Sequence, residues 1–284
     1  MRVFVTGAGG QVGRELQLAL HAHDVIAADH AALDVADGVA VREAITGSRP
    51  DVVVHSAAWT AVDACESDPV RAERVNTAGT ANVAIAAHEV AARVVYLSTD
   101  YVFDGTKPAP YVETDTTNPR SVYGRTKLGG ELALSDDDTI VRTSWVCGRF
   151  GHNMVKTILR IADEHETLTF VDDQRGHPSF ADDLAGMIVR LVDAELTGVF
   201  HVTNQGIVSW YEFACAVLEA SGLDPGRVRP IATADLDPPR PAPRPANSVL
   251  ENAALRDAGL PMLPDFHEPL QRMVTQIGRG TELA

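Results

Sequence analysis

Short apolar runs alternate with longer runs of helical spacing along the first half of the chain. Residues 2–6 are apolar and β-rich, and residues 11–21 repeat apolar side chains at the spacing of one helix face. The same pattern predicts strands at 25–28, 51–55, 94–98, 139–143, 168–171 and 199–203, and helices at 39–45, 72–92, 121–134 and 181–194. Strands that are apolar throughout need cover on both faces. We therefore predict an α/β fold built on a doubly wound parallel sheet.

The last third of the chain has a different pattern. A helix is predicted at 210–221, and its aromatic residues, at helical spacing, are predicted to be core: Trp210, Tyr211 and Phe213. Five prolines then fall within residues 238–245, a density that excludes a helix or a central strand. This segment is either a linker or a stiff loop that presents Arg240, Arg244 and Asn247 to a ligand. The pattern alone favours neither interpretation.

Composition excludes several classes of protein. The chain has 284 residues, of which 45% are hydrophobic and 22% charged, as in ordinary folded proteins of one or two domains. It carries 24 Lys+Arg against 39 Asp+Glu, a net charge of -15. Such a surface repels phosphate backbones and anionic lipid, so we expect no nucleic-acid partner and no membrane partner. An anionic ligand would need a local pocket of arginine or backbone N–H groups.

Cysteine usage and the N-terminal residues point to a cellular compartment. The three cysteines, Cys65, Cys147 and Cys215, are odd in number and far apart, which favours neither a disulfide framework nor a metal site. The first residues lack the pattern of a signal peptide, and the sequence has no uninterrupted apolar run of about 18 residues. We therefore expect a cytoplasmic protein in a reducing environment.

A glycine cluster lies between the first predicted strand and the first predicted helix. Glycines at 7, 10 and 13 satisfy the spacing G-x-x-G-x-x-G, whereas G-x-G-x-x-G fails because Val12 occupies its last position. Glycines there let the backbone approach a pyrophosphate, which the helix N-terminus attracts. The cluster predicts a dinucleotide site. Asp29, at the end of the second strand, either accepts a hydrogen bond from the adenosine ribose or caps a turn.

Tyr123 and Lys127 are four residues apart in a predicted helix and so project from one face. Because the chain has only three lysines and five tyrosines, this spacing seldom arises by chance. A nearby ammonium favours the phenolate, and we expect it to lower the tyrosine pKa from about 10 towards about 7. Tyr123 would then be a proton donor at neutral pH. The alternative is a surface pair without coupling.

A short polar run follows the fourth predicted strand, at the carboxyl edge where parallel sheets bind ligands. Thr99 of this run can donate a hydrogen bond to a carbonyl oxygen. The alternative is that the Ser-Thr-Asp run at 98–100 only forms a turn or a helix cap.

Seven stretches of the chain resemble the extended short-chain dehydrogenase/reductases and, among them, most closely the dTDP-4-dehydrorhamnose reductases. In chain order they are TGAGGQVGRELQ, PDVVVHSAAWTAVDACE, STDYVFDG, NPRSVYGRTKLGGE, RTSWV, DDQRGHPS and RPANSVL. The resemblance implies a Rossmann-like dinucleotide-binding domain formed by residues 1–149 and 168–204. It implies that a smaller mixed α/β lobe, formed by residues 150–167 and 205–284, binds the substrate.

The activity that the resemblance implies is hydride transfer from NADPH or NADH to the C4 ketone of a dTDP-linked 4-keto-6-deoxyhexose. The substrate would be dTDP-4-dehydro-L-rhamnose and the product dTDP-L-rhamnose. Tyr123 would protonate the emerging alkoxide, Thr99 would hydrogen-bond that oxygen, and Lys127 would tune the tyrosine and hold the nicotinamide ribose. Hydrogen-bond donors already in place where negative charge develops lower the barrier, and the hydride comes from the coenzyme.

The resemblance also implies two sets of binding residues. Those for the coenzyme are Gly7, Gly10, Gln11, Val12, Asp29, His30, Asp34, Val35, Ala57, Ala58, Tyr123 and Lys127. Those for the substrate are Thr99, Asp100, Tyr101, Trp145, Arg244 and Asn247, with Ser248 at the same end of the chain. For Trp145 the alternative is an ordinary core residue.

Several points stay open at this stage. Asp29 would repel the 2′-phosphate of NADPH, whereas Arg14 and His30 would offset that charge, so either coenzyme fits. Some relatives hold magnesium between subunits with glutamates. Glu15 matches one such position, but residues 179–187 supply aspartates, so we predict no metal. A homodimer is one candidate assembly, and the sequence does not decide the oligomeric state. The alternative functions are a 4-ketoreductase for another dTDP-deoxysugar and a non-catalytic regulatory subunit.

Overall fold

The computed structural model describes residues 1–281 of the chain. The strands are β1 (Arg2–Thr6), β2 (Asp24–Ala28), β3 (Val52–His55), β4 (Arg93–Thr99), β5 (Thr139–Thr143), β6 (Val146–Cys147), β7 (Leu168–Val171), β8 (Arg175–Gly176), β9 (Ser179–Phe180), β10 (Gly198–His201), β11 (Val208–Ser209) and β12 (Val228–Ile231). The helices are α1 (Gln11–Ala19), α2 (Gly38–Ser48), α3 (Val62–Ser67), α4 (Pro69–Ala72), α5 (Gly79–Glu89), α6 (Val122–Glu131), α7 (Met154–Glu164), α8 (Ala181–Asp193), α9 (Trp210–Ala220), α10 (Ala253–Asp257) and α11 (His267–Thr281).

Six strands form one parallel sheet in the order β10-β5-β4-β3-β1-β2. Alternate side chains of β1 face opposite ways, as a strand requires. Val3 and Val5 pack with α1 and α8, whereas Phe4 packs with α2 and α5. The predicted doubly wound α/β fold is therefore confirmed. No helix in the described residues is long and apolar enough to cross a membrane.

A second lobe packs around its own apolar cluster. Helices α7, α9 and α11 contribute Ile158, Phe213 and Leu270 to this cluster. Strand β7 pairs in parallel with β12, and both Leu168 and Val228 are buried there.

This pairing differs in part from the division expected from the sequence. Of the segment 168–204, α8 packs against α1 and β10 joins the six-stranded sheet. Strand β7, by contrast, lies outside that sheet because its hydrogen-bonding partner and its apolar contacts are in the second lobe. The exact division of the chain into two domains stays a prediction.

The helix predicted at 72–92 is interrupted. A π-helical turn, Glu73–Ala78, separates α4 from α5. It carries the buried Asn76, whose side chain accepts a hydrogen bond from Trp59 N (2.8 Å) and donates to the hydroxyl of Thr126 (3.1 Å). A π turn widens a helix locally and often marks a functional region. Here it joins the α4–α5 segment to α6.

Helix α6 lies unusually close to its neighbours. It begins after Ser121, whose hydroxyl accepts a hydrogen bond from Gly124 N and so caps the helix. A Cβ on Gly124 would be 2.2 Å from the carbonyl oxygen of Tyr101, and one on Gly130 would be 2.4 Å from the hydroxyl of Tyr96. Only glycine allows this approach. The helix that carries Tyr123 and Lys127 is thereby pressed against the end of β4.

A buried ion pair fixes the other end of α6. Glu131 accepts hydrogen bonds from two nitrogens of Arg142 on β5, at 2.7 Å and 3.0 Å, and another from the hydroxyl of Ser98 on β4. The two charged side chains are only 4% and 6% exposed. Because a buried charge without its partner is costly, this pair holds α6, β4 and β5 in one arrangement.

We predict that Glu131→Gln lowers the free energy of unfolding by about 3–5 kcal/mol, since it leaves Arg142 buried without a counter-charge. Adding Arg142→Met should recover part of this loss. Urea denaturation monitored by circular dichroism measures both effects. The control is Arg160→Met, which removes an exposed pair with Glu164 and should change stability by less than about 1 kcal/mol. Equal small losses in both variants would contradict the anchoring role.

Candidate active site

The turn between β1 and α1 brings backbone N–H groups to the edge of the sheet. Gly7 has a φ of +68°, and a Cβ there would be 2.6 Å from Ala57 N. A Cβ on Gly13 would be 2.2 Å from the carbonyl oxygen of Gly7. The N-cap residue Gly10 has no side chain to satisfy the free N–H groups, and the first turn of α1 carries no acidic residue. This helix N-terminus therefore presents partial positive charge to an anion.

A main cavity of about 530 Å³ extends from this turn to α6. It contains eleven of the residues predicted from the sequence. They are Gly7, Gly10, Gln11, Val12, Ala58, Thr99, Asp100, Tyr101, Tyr123, Lys127 and Trp145. Residues far apart in the chain meet here because the carboxyl ends of parallel strands lie at one edge of the sheet.

Tyr123 lies in the wall of the main cavity and is 8% exposed. Its ring packs edge-on against that of Tyr101, with the centroids 5.5 Å apart. Burial raises the pKa of Tyr123 above its ordinary value, and a hydrogen bond with the hydroxyl of Thr99 opposes that rise. The expectation that this pKa falls towards neutrality is therefore wrong. The phenol keeps its proton at neutral pH, which is the form that a proton donor needs.

The position of the Lys127 ammonium explains this difference. Its nitrogen donates a hydrogen bond of 2.7 Å to the carbonyl oxygen of Leu97 and lies 4.0 Å from the centroid of the Tyr96 ring. Burial lowers the pKa of Lys127 to about 7, against an opposing attraction to Glu131. At neutral pH, Lys127 therefore carries only part of a charge. Lys127 lies on the same helix face as Tyr123, as predicted. The predicted lowering of the Tyr123 pKa by the Lys127 ammonium is not found.

Thr99 and Asp100 form both a turn and part of the cavity wall. The hydroxyl of Thr99 donates to Asp100 (2.9 Å) and accepts a hydrogen bond from Tyr101 N (3.2 Å). Burial raises the pKa of Asp100 to about 6, while hydrogen bonds from Ser248 and Thr99 oppose that rise. The two interpretations of the Ser-Thr-Asp run are therefore compatible, because the turn points these side chains into the cavity.

A second cavity of about 390 Å³ adjoins the first. Tyr101 and Trp210 line both cavities and so lie where the two meet. Trp145 stacks on Trp210 with the ring centroids 3.7 Å apart. The prediction that Trp210 is core is confirmed only in part: it packs against the apolar cluster of the second lobe, but it is half-buried and also lines both cavities. Helical spacing gave no signal for this role, because Trp210 is the first residue of α9.

The proline-rich segment is a mostly exposed loop beside the second cavity, and Ala242 of this loop is buried. Arg240 and Arg244 both line that cavity. Arg244 forms two hydrogen bonds with the carboxylate of Asp63, at 2.6 Å and 2.8 Å. The amide of Asn247 donates to the carbonyl oxygens of residues 107 and 109, so it joins two loops and lines neither cavity. The interpretation as a stiff loop fits better than that of a linker.

Comparisons with known proteins agree with this geometry. The family model described as RmlD substrate binding domain matches residues 1–279. A dTDP-4-dehydrorhamnose reductase of Streptomyces griseus is 44% identical, and the alignment covers 95% of this chain and 91% of the relative. The chain belongs to the dTDP-4-dehydrorhamnose reductase family.

Two further proteins show how widely this family resemblance extends. A Streptomyces niveus protein named dTDP-4-keto-6-deoxy-D-glucose reductase is 42% identical, with 91% of each chain covered. The crystal structure of a Bacillus anthracis dTDP-4-dehydrorhamnose reductase in complex with NADP has a TM-score of 0.93 and is 37% identical. It covers 97% of this chain and 99% of that chain.

Four further residues that the resemblance assigns to coenzyme binding follow β2 in the chain: Asp29, His30, Asp34 and Val35. Asp29 accepts a hydrogen bond from Ala32 N (2.9 Å), and it also lines a separate cleft with Arg14 behind the glycine turn. Asp34 accepts one from Ala36 N (3.0 Å), and Val35 is buried. His30 is exposed next to Asp29. Asp29 thus caps a turn and still borders a cleft, so both of its interpretations stay open.

Glu15 is the residue that the sequence resemblance compared with a magnesium position of some relatives. Its carboxylate is 5% exposed and accepts two hydrogen bonds from Arg149, at 2.8 Å and 2.9 Å. The side chain therefore joins α1 to the loop after β6.

We predict that burial of Lys127 makes stability depend on pH. Between the folded pKa of about 7 and the unfolded value of about 10.4, the unfolded chain binds more protons, so the unfolding free energy rises with pH. Lys127→Met removes this titration. Its stability relative to the parent protein should therefore fall by about 2 kcal/mol between pH 7 and pH 9.

Urea denaturation at both pH values tests this expectation. The control is Lys156→Met, at a lysine whose ammonium donates to two backbone carbonyl groups near the surface. Its relative stability should not change with pH. A pH-independent difference for Lys127→Met would show that the ammonium is not desolvated.

Proposed function

We propose that this protein reduces the C4 ketone of dTDP-4-dehydro-L-rhamnose to dTDP-L-rhamnose with NADPH or NADH. The observation that carries the proposal is the position of Tyr123 and Thr99 in the cavity that begins at the glycine turn. A proton donor and a pyrophosphate-binding turn in one cavity are what carbonyl reduction by a nicotinamide requires.

The shape and charge of the glycine turn fit a dinucleotide. Side chains at Gly7 and Gly13 would fill the space that the backbone needs, and the uncapped N-terminus of α1 attracts phosphate. Gly7, Gly10, Gln11 and Val12 would hold the pyrophosphate, and Lys127 would hold the nicotinamide ribose. The adenosine end would be held by Asp29, His30, Asp34, Val35, Ala57 and Ala58. When bound, the coenzyme supplies the hydride.

The side chains of the main cavity would stabilise the negative charge that develops on the substrate oxygen and supply the proton that neutralises it. Hydride addition at C4 converts the carbonyl oxygen to an alkoxide, which takes the proton of Tyr123. The hydroxyl of Thr99, which donates to Asp100 in this structure, would turn to donate to the same oxygen. Since these groups are buried, their hydrogen bonds to the developing charge are stronger than they would be in water.

The substrate would span the two cavities. Its sugar would lie near Thr99, Asp100 and Trp145, and its nucleotide would extend past Tyr101 into the second cavity, where the loop held by Arg244 and Asn247 lies. The Streptomyces niveus relative favours a second candidate, a reductase of another dTDP-4-keto-deoxysugar. A non-catalytic subunit is disfavoured because Thr99, Tyr123 and Lys127 share the cavity. A homodimer and a cytoplasmic location stay predictions, which light scattering and cell fractionation check.

An assay with defined substrates tests the proposal. The purified protein is given dTDP-6-deoxy-L-lyxo-4-hexulose or its D-xylo isomer, each with NADPH and with NADH, and nicotinamide absorbance is followed. We expect rapid oxidation with the L-lyxo substrate and a product that NMR identifies as dTDP-L-rhamnose. Faster turnover of the D-xylo isomer would favour the second candidate, and no oxidation with either would refute both.

We predict that Tyr123→Phe lowers turnover by at least about 100-fold, because it removes the proton donor. NADPH affinity should change little, since the hydroxyl is not needed to hold the coenzyme. Steady-state kinetics and fluorescence titration of NADPH measure the two effects. The control is Tyr211→Phe, which lines neither cavity and should keep full turnover. Near-normal turnover of the Tyr123 variant would rule out the proposed role.

A further inference from the structure

We infer that Arg240 is the arginine that contacts the substrate diphosphate, and that Arg244 and Asp63 form a latch that positions it. This inference rests on the proposed function, because it assigns the charge recognition of the same substrate. It also changes the role that the sequence suggested for Arg244, from a direct ligand to a positioning residue.

The first step concerns the route of the substrate. Tyr101 and Trp210 are shared by the two cavities, and under the proposed function the sugar lies at Tyr123 and the nucleotide in the second cavity. A diphosphate links the two parts and must cross this boundary. The chain has a net charge of -15, so the diphosphate needs a local cation there. Within the described residues, Arg240 and Arg244 are the arginines that line the second cavity.

The second step concerns which arginine is free. Arg244 forms an ion pair with Asp63 through two hydrogen bonds of 2.6 Å and 2.8 Å, and it also donates a hydrogen bond to the carbonyl oxygen of Ala242. Its side chain is only 10% exposed, and the attraction lowers the pKa of Asp63. Its two terminal nitrogens already donate to Asp63, so fewer of its N–H groups are left for a second anion.

Arg240 differs in each respect. It is exposed and lines the cavity, and within residues 1–281 no carboxylate lies at ion-pair distance from it. The pKa of Tyr101 is raised by burial to about 12, and the charges of Arg244 and Arg240, in that order, oppose this rise, so both guanidinium groups act at this place. Arg240 is thus an unpaired guanidinium close to the side chain over which the diphosphate must pass. A guanidinium of this kind binds phosphate oxygens through parallel N–H groups.

The third step connects the two arginines. They are four residues apart, and Pro241 and Pro243 fix the backbone φ angle of the chain between them. Asp63 belongs to α3 and also accepts a hydrogen bond from Ala242 N (3.1 Å). It therefore binds the loop at two residues, Ala242 and Arg244. A stiff segment that is fixed at one end loses little further entropy when Arg240 binds an anion. The latch therefore acts on the ligand through Arg240.

The test measures binding of dTDP and of thymidine to the full-length protein by titration calorimetry. Arg240→Ala should weaken dTDP binding by about 10–100-fold, the value of one or two charge-assisted hydrogen bonds, and leave thymidine binding nearly unchanged. Arg240→Lys should recover part of the loss. NADPH affinity should not change. The matched control is Arg256→Ala, an exposed arginine paired with Glu251 that lines neither cavity.

A mutant cycle separates the latch from a direct contact. Asp63→Ala and Arg244→Ala should each weaken dTDP binding by roughly 3–30-fold, and the double variant should lose no more than the larger single loss. Arg240→Ala should cost less in the Asp63→Ala background than in the parent protein. If Asp63→Ala binds dTDP as well as or better than the parent while Arg244→Ala binds it poorly, Arg244 is the direct ligand and the inference is overturned.

The outcome is distinguishable from failure of the proposed function. A parent protein that binds dTDP but reduces no 4-keto sugar would refute the activity, while the dTDP titrations would still decide the role of Arg240. A parent protein that binds no dTDP would overturn the inference itself. Equal losses of dTDP and thymidine affinity in Arg240→Ala would also overturn it, because the contact would then not involve phosphate.

Discussion

The contact of α6 with β4 and β5 sets the geometry of everything in the main cavity. Glu131 is held between Arg142 and Ser98, and Gly124 at the opposite end lets the helix touch the carbonyl oxygen of Tyr101. Tyr123 lies two turns before Glu131 on this helix, and Lys127 lies one turn before it. The Glu131–Arg142 pair therefore matters for the chemistry as well as for stability, because it fixes the position of the proton donor Tyr123.

Burial shifts the pKa values of these two side chains in opposite directions, in each case towards the neutral form. The phenol of Tyr123 stays neutral because desolvation penalises its anion, whereas desolvation of Lys127 penalises its cation. A reductase needs a protonated donor, since the alkoxide must receive a proton from the protein, and the phenol of Tyr123 is protonated at neutral pH. The burial of Lys127 makes its charge sensitive to pH near neutrality. The same apolar surroundings therefore favour the neutral phenol of Tyr123 and make the charged form of Lys127 costly.

Sequence patterns predicted the local features of the site but not its long-range ones. The glycine turn and the Tyr-x-x-x-Lys spacing are local, and both sets of residues lie in one cavity as the fold requires. The direction of the Tyr123 pKa could not be read from spacing, because it depends on burial depth. The partner of Arg244 is 181 residues away, and the role of Trp210 depends on where two lobes meet. Such relations exist only after the chain has folded.

The central claim is that a hydride reaches C4 of a nucleotide-linked sugar beside Tyr123. The most direct test uses NADPH that carries deuterium at the transferred position of the nicotinamide, with dTDP-6-deoxy-L-lyxo-4-hexulose as substrate. The account predicts a product with one deuterium, located at C4 of the sugar by NMR. Product without deuterium, or with deuterium at another carbon, would contradict it.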